Sequence, residues 1–306
     1  MTDPSISERR KAWRTIGIFL VLTFVLTSIF GGLMGYQGST PPILMTGVMW
    51  SPGIAALLTC LLIKRPIYSL PWRWGGWGWS WFAWGLPILY GFAIYLIVWT
   101  FGLGGSSFGN AETLSMWTEQ LLGTSETSVV ASVIYMIMLG TVGMVAAVSR
   151  ALGEEIGWRG LLIWEMRKVM PFWAVGLLSG TIWAIWHWPA ILFTDYNAGT
   201  GSFLLQVFIF TMAILPQGIV YAYITFRSES LWPAIILHGS HNLFIQRIFT
   251  PLTEKGPDSH LFIDEFGIVM PTLGCLMALG FYLKARSDGT AKPMTERKEP
   301  TCPNTN

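Results

Sequence analysis

Charge is scarce in this sequence. Asp, Glu, Lys and Arg make up 12% of its 306 residues, against 52% hydrophobic residues, whereas a soluble chain usually carries about a quarter charged. That balance excludes a pair of ordinary soluble domains. Nineteen basic and 17 acidic residues leave a net charge of +2, too small an excess for a protein held to nucleic acid by phosphate contacts. Cysteine is nearly missing as well. Cys60, Cys275 and Cys302 stand far apart with no CxxC pair, which argues against a disulfide framework and a thiolate metal cage. No repeat of fixed period is visible. Nor does the chain carry an H-E-x-x-H zinc helix, a G-x-G-D aspartyl motif or a G-x-S-x-G serine elbow.

What the chain does have is long apolar runs. Eight stretches are long enough to cross the hydrocarbon layer as helices, roughly 16–36, 43–63, 81–103, 134–164, 171–193, 203–226, 231–249 and 266–283. The first follows Glu8-Arg9-Arg10-Lys11 but outruns a usual signal-peptide core and lacks a small-x-small cleavage site, so an uncleaved span is expected. Seventeen Trp suit a chain with many membrane–water crossings. Alternating the loops places nearly all Lys and Arg on one side, from Arg9 and Lys64 through Arg167 and Arg227 to Lys298, with Arg247 and Lys255 towards the other. The positive-inside rule then predicts a multi-pass protein with both termini cytoplasmic.

The expected fold is all-α and polytopic, with about eight transmembrane helices around a polar catalytic cavity. Residues 1–284 form one membrane domain with a motif core at about 150–250, and 285–306 a disordered cytoplasmic tail. The long outer loop, about 104–133, has no Lys or Arg. Its stretch Ala111 to Leu122 reads as a polar loop, with a short surface helix as the alternative.

Ionisable residues inside apolar runs need a reason to be there, because insertion costs about 2.5 to 3.5 kcal/mol for Asp, Lys or Arg at a helix centre. Four groups stand out: Arg150; Gly153-Glu154-Glu155-Ile156-Gly157-Trp158-Arg159; Trp183-Ala184-Ile185-Trp186-His187; and His238-Gly239-Ser240-His241-Asn242. Counting from the basic turn at Arg167 to Pro171, Glu154 lies about 20 Å and His187 about 24 Å into the membrane at 1.5 Å per residue. From Arg227, His238 and Asn242 come at about 16 and 22 Å. Three helices thus deliver polar groups to a similar depth.

Angular position separates their roles. Arg159 follows Glu155 by one turn on nearly the same face, so Glu155 is the expected salt-bridge partner. Glu154 points about 100° away and is the better candidate for a proton-exchanging base. His238 and Asn242 share a face and can converge on one oxygen; His241 either joins them or only supports the network. Gly153, Gly157 and Gly160 read as sites of close helix contact. Ser240, beside Gly239, is a weak alternative nucleophile. Two carboxylates, at least two imidazoles and an amide held away from bulk water suit a hydrolase in which a Glu activates water and neutral donors, His238 among them, hold an oxyanion.

The three motifs, Glu-Glu-x-x-x-Arg at 154–159, aromatic-x-x-x-His at 183–187 and His-x-x-x-Asn at 238–242, in that order on apolar segments, resemble those of the CPBP family of intramembrane proteases. That family includes the prenyl-protein (CaaX) endopeptidase of the Rce1 type and bacteriocin-processing or self-immunity proteins. The resemblance implies an intramembrane endopeptidase acting on a membrane-associated or lipidated protein or peptide. It also implies that Glu154 is the general base, that His187 positions the water, and that His238 and Asn242 form the oxyanion site, with Glu155, Arg159 and His241 in support. Trp183 stands where the family commonly has Phe, a departure expected to alter packing rather than chemistry. Such proteins are often described as metalloproteases. A zinc or other divalent ion stays open, with Glu154, His187 and His238 as its ligands, although the amide beside His238 suits an oxyanion better. Cys302 precedes four residues, so the chain is not expected to be a CaaX substrate itself. Two other classes fit the buried polar groups: a non-catalytic scaffold or immunity protein of the same fold, and a proton-coupled transporter, for which repeated halves are not found.

Overall fold

The computed structural model describes residues 6–124 and 126–292. All eight apolar stretches are helical. Helices α1 (Ile6–Gln37), α2 (Pro42–Leu62) and α3 (Trp77–Thr100) come first. A run from Val129 to Arg167 follows, built of α5 (Val129–Thr141), α6 (Gly143–Glu155), a π-helical segment (Ile156–Leu162) and α7 (Ile163–Arg167). Next are α8 (Phe172–Phe193), α9 (Phe203–Ser228), α10 (Trp232–Phe244), which continues into a second π segment (Ile245–Phe249), and α11 (Val269–Ser287). Six of these runs among the described residues are long and apolar enough to cross a membrane, in place of the eight expected. The other two are less apolar: α10 carries His238, His241 and Asn242 and runs on through Arg247, and α11 ends in Lys284 and Arg286. Even so, α11 turns Leu276, Leu279 and Leu283 outwards, each more than half exposed, as a lipid-facing helix does.

Between α3 and α5, Ala111–Leu122 is a helix (α4) and not the expected loop. Thr113, Leu114, Trp117 and Thr118 are its buried face, and Gly123 in the left-handed conformation ends it. The alternation of those residues at helical spacing is the signal that outweighs its polar composition.

Two glycines expected at close contacts are there for that reason. A Cβ on Gly157 would lie 2.7 Å from both Cβ and O of Pro52, and one on Gly153 would lie 2.8 Å from the Met49 carbonyl, so α2 crosses the start of the π segment backbone to backbone. Gly160 has no neighbour closer than 3.6 Å and is not part of the crossing. Gly157→Leu is therefore expected to cost about 3 kcal/mol or more and to abolish folded yield in detergent, while Gly160→Ala leaves yield unchanged. Equal yields for the two variants would refute the crossing.

The helix ends sort the loops into two sets. At one end Arg65 pairs with Glu165 (2.8 Å), Arg9 donates to the Val169 carbonyl, and Arg167 donates to the carbonyls of Ala291 and Lys292. The Tyr223 hydroxyl donates to Asp288 at 2.7 Å. The start of α1 and the end of α11 thus share this basic end. Chain 285–292, expected as disordered tail, continues α11 to Ser287 and packs back with Ala285 and Thr290 buried; 293–306, with Cys302, lies outside the described residues. At the other end β1 (Gly105–Ser106) pairs antiparallel with β2 (Thr253–Glu254), and Asn110, just before α4, donates to Glu254.

Candidate active site

The end of α6, the middle of α8 and the middle of α10 meet inside the bundle. Gly239 makes this approach possible, since a Cβ there would lie 2.9 Å from the backbone N of Val148 on α6. Its neighbour His238 is thereby set against Glu155, with Nδ1 2.8 Å from Oε1. The helix then turns as a π segment directly after Glu155, an irregularity common at functional sites. A cavity of about 700 Å³ results, lined by Glu154, Trp183, His187, His238, His241 and Asn242 among others.

Within it the two carboxylates differ in their partners. Glu155 is fully buried and accepts from Arg159 at 2.8 Å as well as from His238; its Oε2 has no partner among the described residues. The Arg159 guanidinium is held between the faces of Trp183 and Tyr221, 4.3 and 4.0 Å from their ring centres, a cation–π arrangement. Glu154 is equally hidden, at 2% exposure, but its Oε2 accepts only the indole N–H of Trp183 at 2.8 Å. Its second oxygen is left to face the cavity.

The ring nitrogens follow from these bonds. His187 donates Nδ1–H to the Trp183 carbonyl at 2.8 Å, which leaves Nε2 as an acceptor. His238 gives its Nδ1–H to Glu155, so a neutral ring presents a lone pair at Nε2 and only the imidazolium donates there. The expectation of a neutral His238 donor needs that correction. Asn242 lines the cavity with its amide bonded to no other described side chain.

Trp183 does more than pack, contrary to expectation. Its indole donates to Glu154 and its carbonyl accepts from His187, so one residue orients both. Phe keeps the backbone bond and loses the other. With a charge-assisted hydrogen bond worth about 1.5–3 kcal/mol, Trp183→Phe is expected to lower turnover at least about tenfold while the protein stays folded; unchanged turnover would return Trp183 to a packing role.

Sequence reasoning missed Glu265. It sits in the connection before α11, 4% exposed, and its carboxylate accepts from His241 Nε2 (3.0 Å), Gln246 (3.1 Å) and the Tyr196 hydroxyl (2.6 Å). Burial alone would raise this carboxyl, but the bonds from His241 and Tyr196 outweigh it and hold it below the usual carboxylate range. His241 also meets the Tyr90 hydroxyl through Nδ1. It therefore ties α3, α10 and the Glu265 loop together beside the cavity. Arg150 and Arg247 line the cavity and are exposed. Ser240 does not line it; its hydroxyl donates to the Trp84 carbonyl at 2.6 Å.

A divalent ion held by Glu154, His187 and His238 does not fit this arrangement. All three reach the cavity, but among the described residues no three His, Cys, Asp or Glu side chains gather as a metal-holding group. One oxygen of Glu154 is also already engaged by Trp183.

Residues 135–244 match the family model for Type II CAAX prenyl endopeptidase Rce1-like proteins. Over 94 residues the chain is 29% identical to the protein named CAAX prenyl protease 2 from Methanococcus maripaludis, an alignment covering 29% of this chain and 34% of that protein. The chain thus matches about a third of the length of this curated relative. The three motifs from Glu154 to Asn242 all fall inside the family match, so the resemblance read from them is borne out.

Proposed function

We propose that this protein is an intramembrane endopeptidase that hydrolyses a peptide bond in a membrane-associated or lipidated protein or peptide. The observation that carries the reading is the convergence of Glu154, His187, His238 and Asn242 from three helices on one cavity. Of the adjacent carboxylates Glu154 and Glu155, only Glu154 has no cation bonded to it. The matches to Rce1-like proteins support the same class of reaction.

In this reading a water bound between Glu154 and His187 Nε2 loses a proton to the open Glu154 oxygen as its own oxygen attacks the substrate carbonyl carbon. Negative charge moves to the carbonyl oxygen. There the Asn242 amide and a protonated His238, braced by Glu155, stabilise it. Collapse of the tetrahedral intermediate breaks the C–N bond, and Glu154 returns the proton to the departing amine. The reading takes both termini as cytoplasmic; the cluster of Arg9, Arg65, Arg167 and Lys168 at the end where α1 starts and α11 finishes supports it.

Proteomic comparison of membrane fractions carrying wild-type protein or Glu154→Ala is the test. Uncleaved precursors should accumulate in the variant. A scaffold or immunity protein would leave the peptide pattern unchanged and keep its effect without Glu154.

A further inference from the structure

The cavity is lopsided, and every helix that lines it reports the same direction. Its deepest lining residues are Glu154 on α6, Trp183 on α8, Tyr221 on α9 and His238 on α10, each at least a helical turn short of the basic end. From there the lining runs only the other way. It reaches Thr40 and Pro42 before and at the start of α2, Tyr196 in the loop after α8, Glu265 in the connection before α11 and Met270 at the start of α11. None of Arg65, Glu165, Arg167 or Asp288 lines it. Below Glu154 the bundle is closed by Trp158, Leu161, Leu162, Phe172 and Phe226, all at most 1% exposed, with Trp164 packed edge-on against Phe226 at 5.0 Å. The exposed lining residues, Pro42, Ala146, Arg150 and Arg247, all lie on the side of Glu154 and His238 away from the basic end.

We infer that the substrate chain enters from the face opposite the basic end, where α1 starts and α11 finishes. If the basic end is cytoplasmic, this is the outer face. The substrate class is then a peptide segment exposed on the outer face of the membrane, such as part of an exported or membrane-anchored protein. A lipidated tail presented on the cytoplasmic face meets the closed floor and not the cavity. This deepens the peptidase reading and rests on it for the word substrate, but the direction of opening stands on geometry alone.

Thiol accessibility tests it. Single cysteines are placed at Thr46 and Ala146 in the cavity, at Glu119 on α4 and at Tyr68 at the basic end, in full-length protein carrying Cys60→Ala, Cys275→Ser and Cys302→Ser. A membrane-impermeant sulfonated thiol reagent is then applied to right-side-out and to inverted vesicles. The expected result is modification of the Thr46→Cys and Ala146→Cys proteins in the same vesicles as Glu119→Cys, and in the opposite ones from Tyr68→Cys. Labelling with the sidedness of Tyr68→Cys overturns the inference, as does no labelling of either cavity cysteine where Glu119→Cys reacts fully. Adding Glu154→Gln should leave these patterns intact. A failed peptidase reading therefore shows as missing cleavage with normal sidedness, and a failed inference as wrong sidedness whatever the cleavage result.

Discussion

Glu154→Gln is expected to abolish cleavage, a loss of about 10²–10⁴-fold for removal of a general base, with the protein still inserted and folded. The amide keeps the shape of the carboxylate, and its oxygen can still accept the Trp183 indole N–H, so the packing of α6 against α8 has no cause to change. What disappears is the group that takes a proton from water. Glu155→Gln has a different signature. Its Oε1 already accepts from both Arg159 and His238 at 2.8 Å, so its substitution leaves a buried guanidinium short of its counter-charge and should first appear as lost yield. Cleavage by purified protein in detergent, read beside its thermal unfolding, separates the two. If Glu155→Gln removes activity with full yield while Glu154→Gln does not, the two carboxylates have been assigned the wrong way round.

The parts of this site legible in the sequence are those fixed by helical periodicity. Glu155 and Arg159 pair because four residues make nearly one turn, and Glu154 points elsewhere for the same reason. The similar depths of Glu154, His187 and His238 followed from counting along helices that leave one basic end. Glu265 was not legible in that way. It follows Asp264 in a stretch between two apolar runs, where acids read as solvated, and only the long-range approach of His241, Gln246 and Tyr196 draws it inside. Its flanking Ile263 and Phe266, both buried, are the one local hint. The Trp183 hydrogen bond was hidden for another reason: spacing places a side chain on a face, but the direction of an indole N–H depends on what the facing helix offers. The span count differed because α10 trades hydropathy for its polar set, and composition alone cannot separate a polar helix sheltered in a bundle from one at its edge.

Arg159→Met tests whether the fold or the chemistry owns the second carboxylate. Arg159 is 1% exposed, bonded to Glu155 and lodged between two aromatic rings, while Glu155 is fully buried with one oxygen already unpartnered. Methionine fills much of the same channel but leaves a carboxylate supported by His238 alone. Breaking one side of a buried pair costs about 3–5 kcal/mol, and the loss of the guanidinium from between Trp183 and Tyr221 adds about 2 kcal/mol for a desolvated cation–π contact. The variant should therefore unfold far earlier in detergent than wild type. Adding Glu155→Gln removes the stranded charge, so the double variant should be more stable than Arg159→Met alone, although still inactive because His238 has lost the carboxylate that orients it. Recovery of stability without recovery of cleavage would place Glu155 and Arg159 in the scaffold that aims His238 at the oxyanion. If Arg159→Met is as stable as wild type, the buried pair does not hold the site together, and the ordering of the two carboxylates must rest on Glu154 alone.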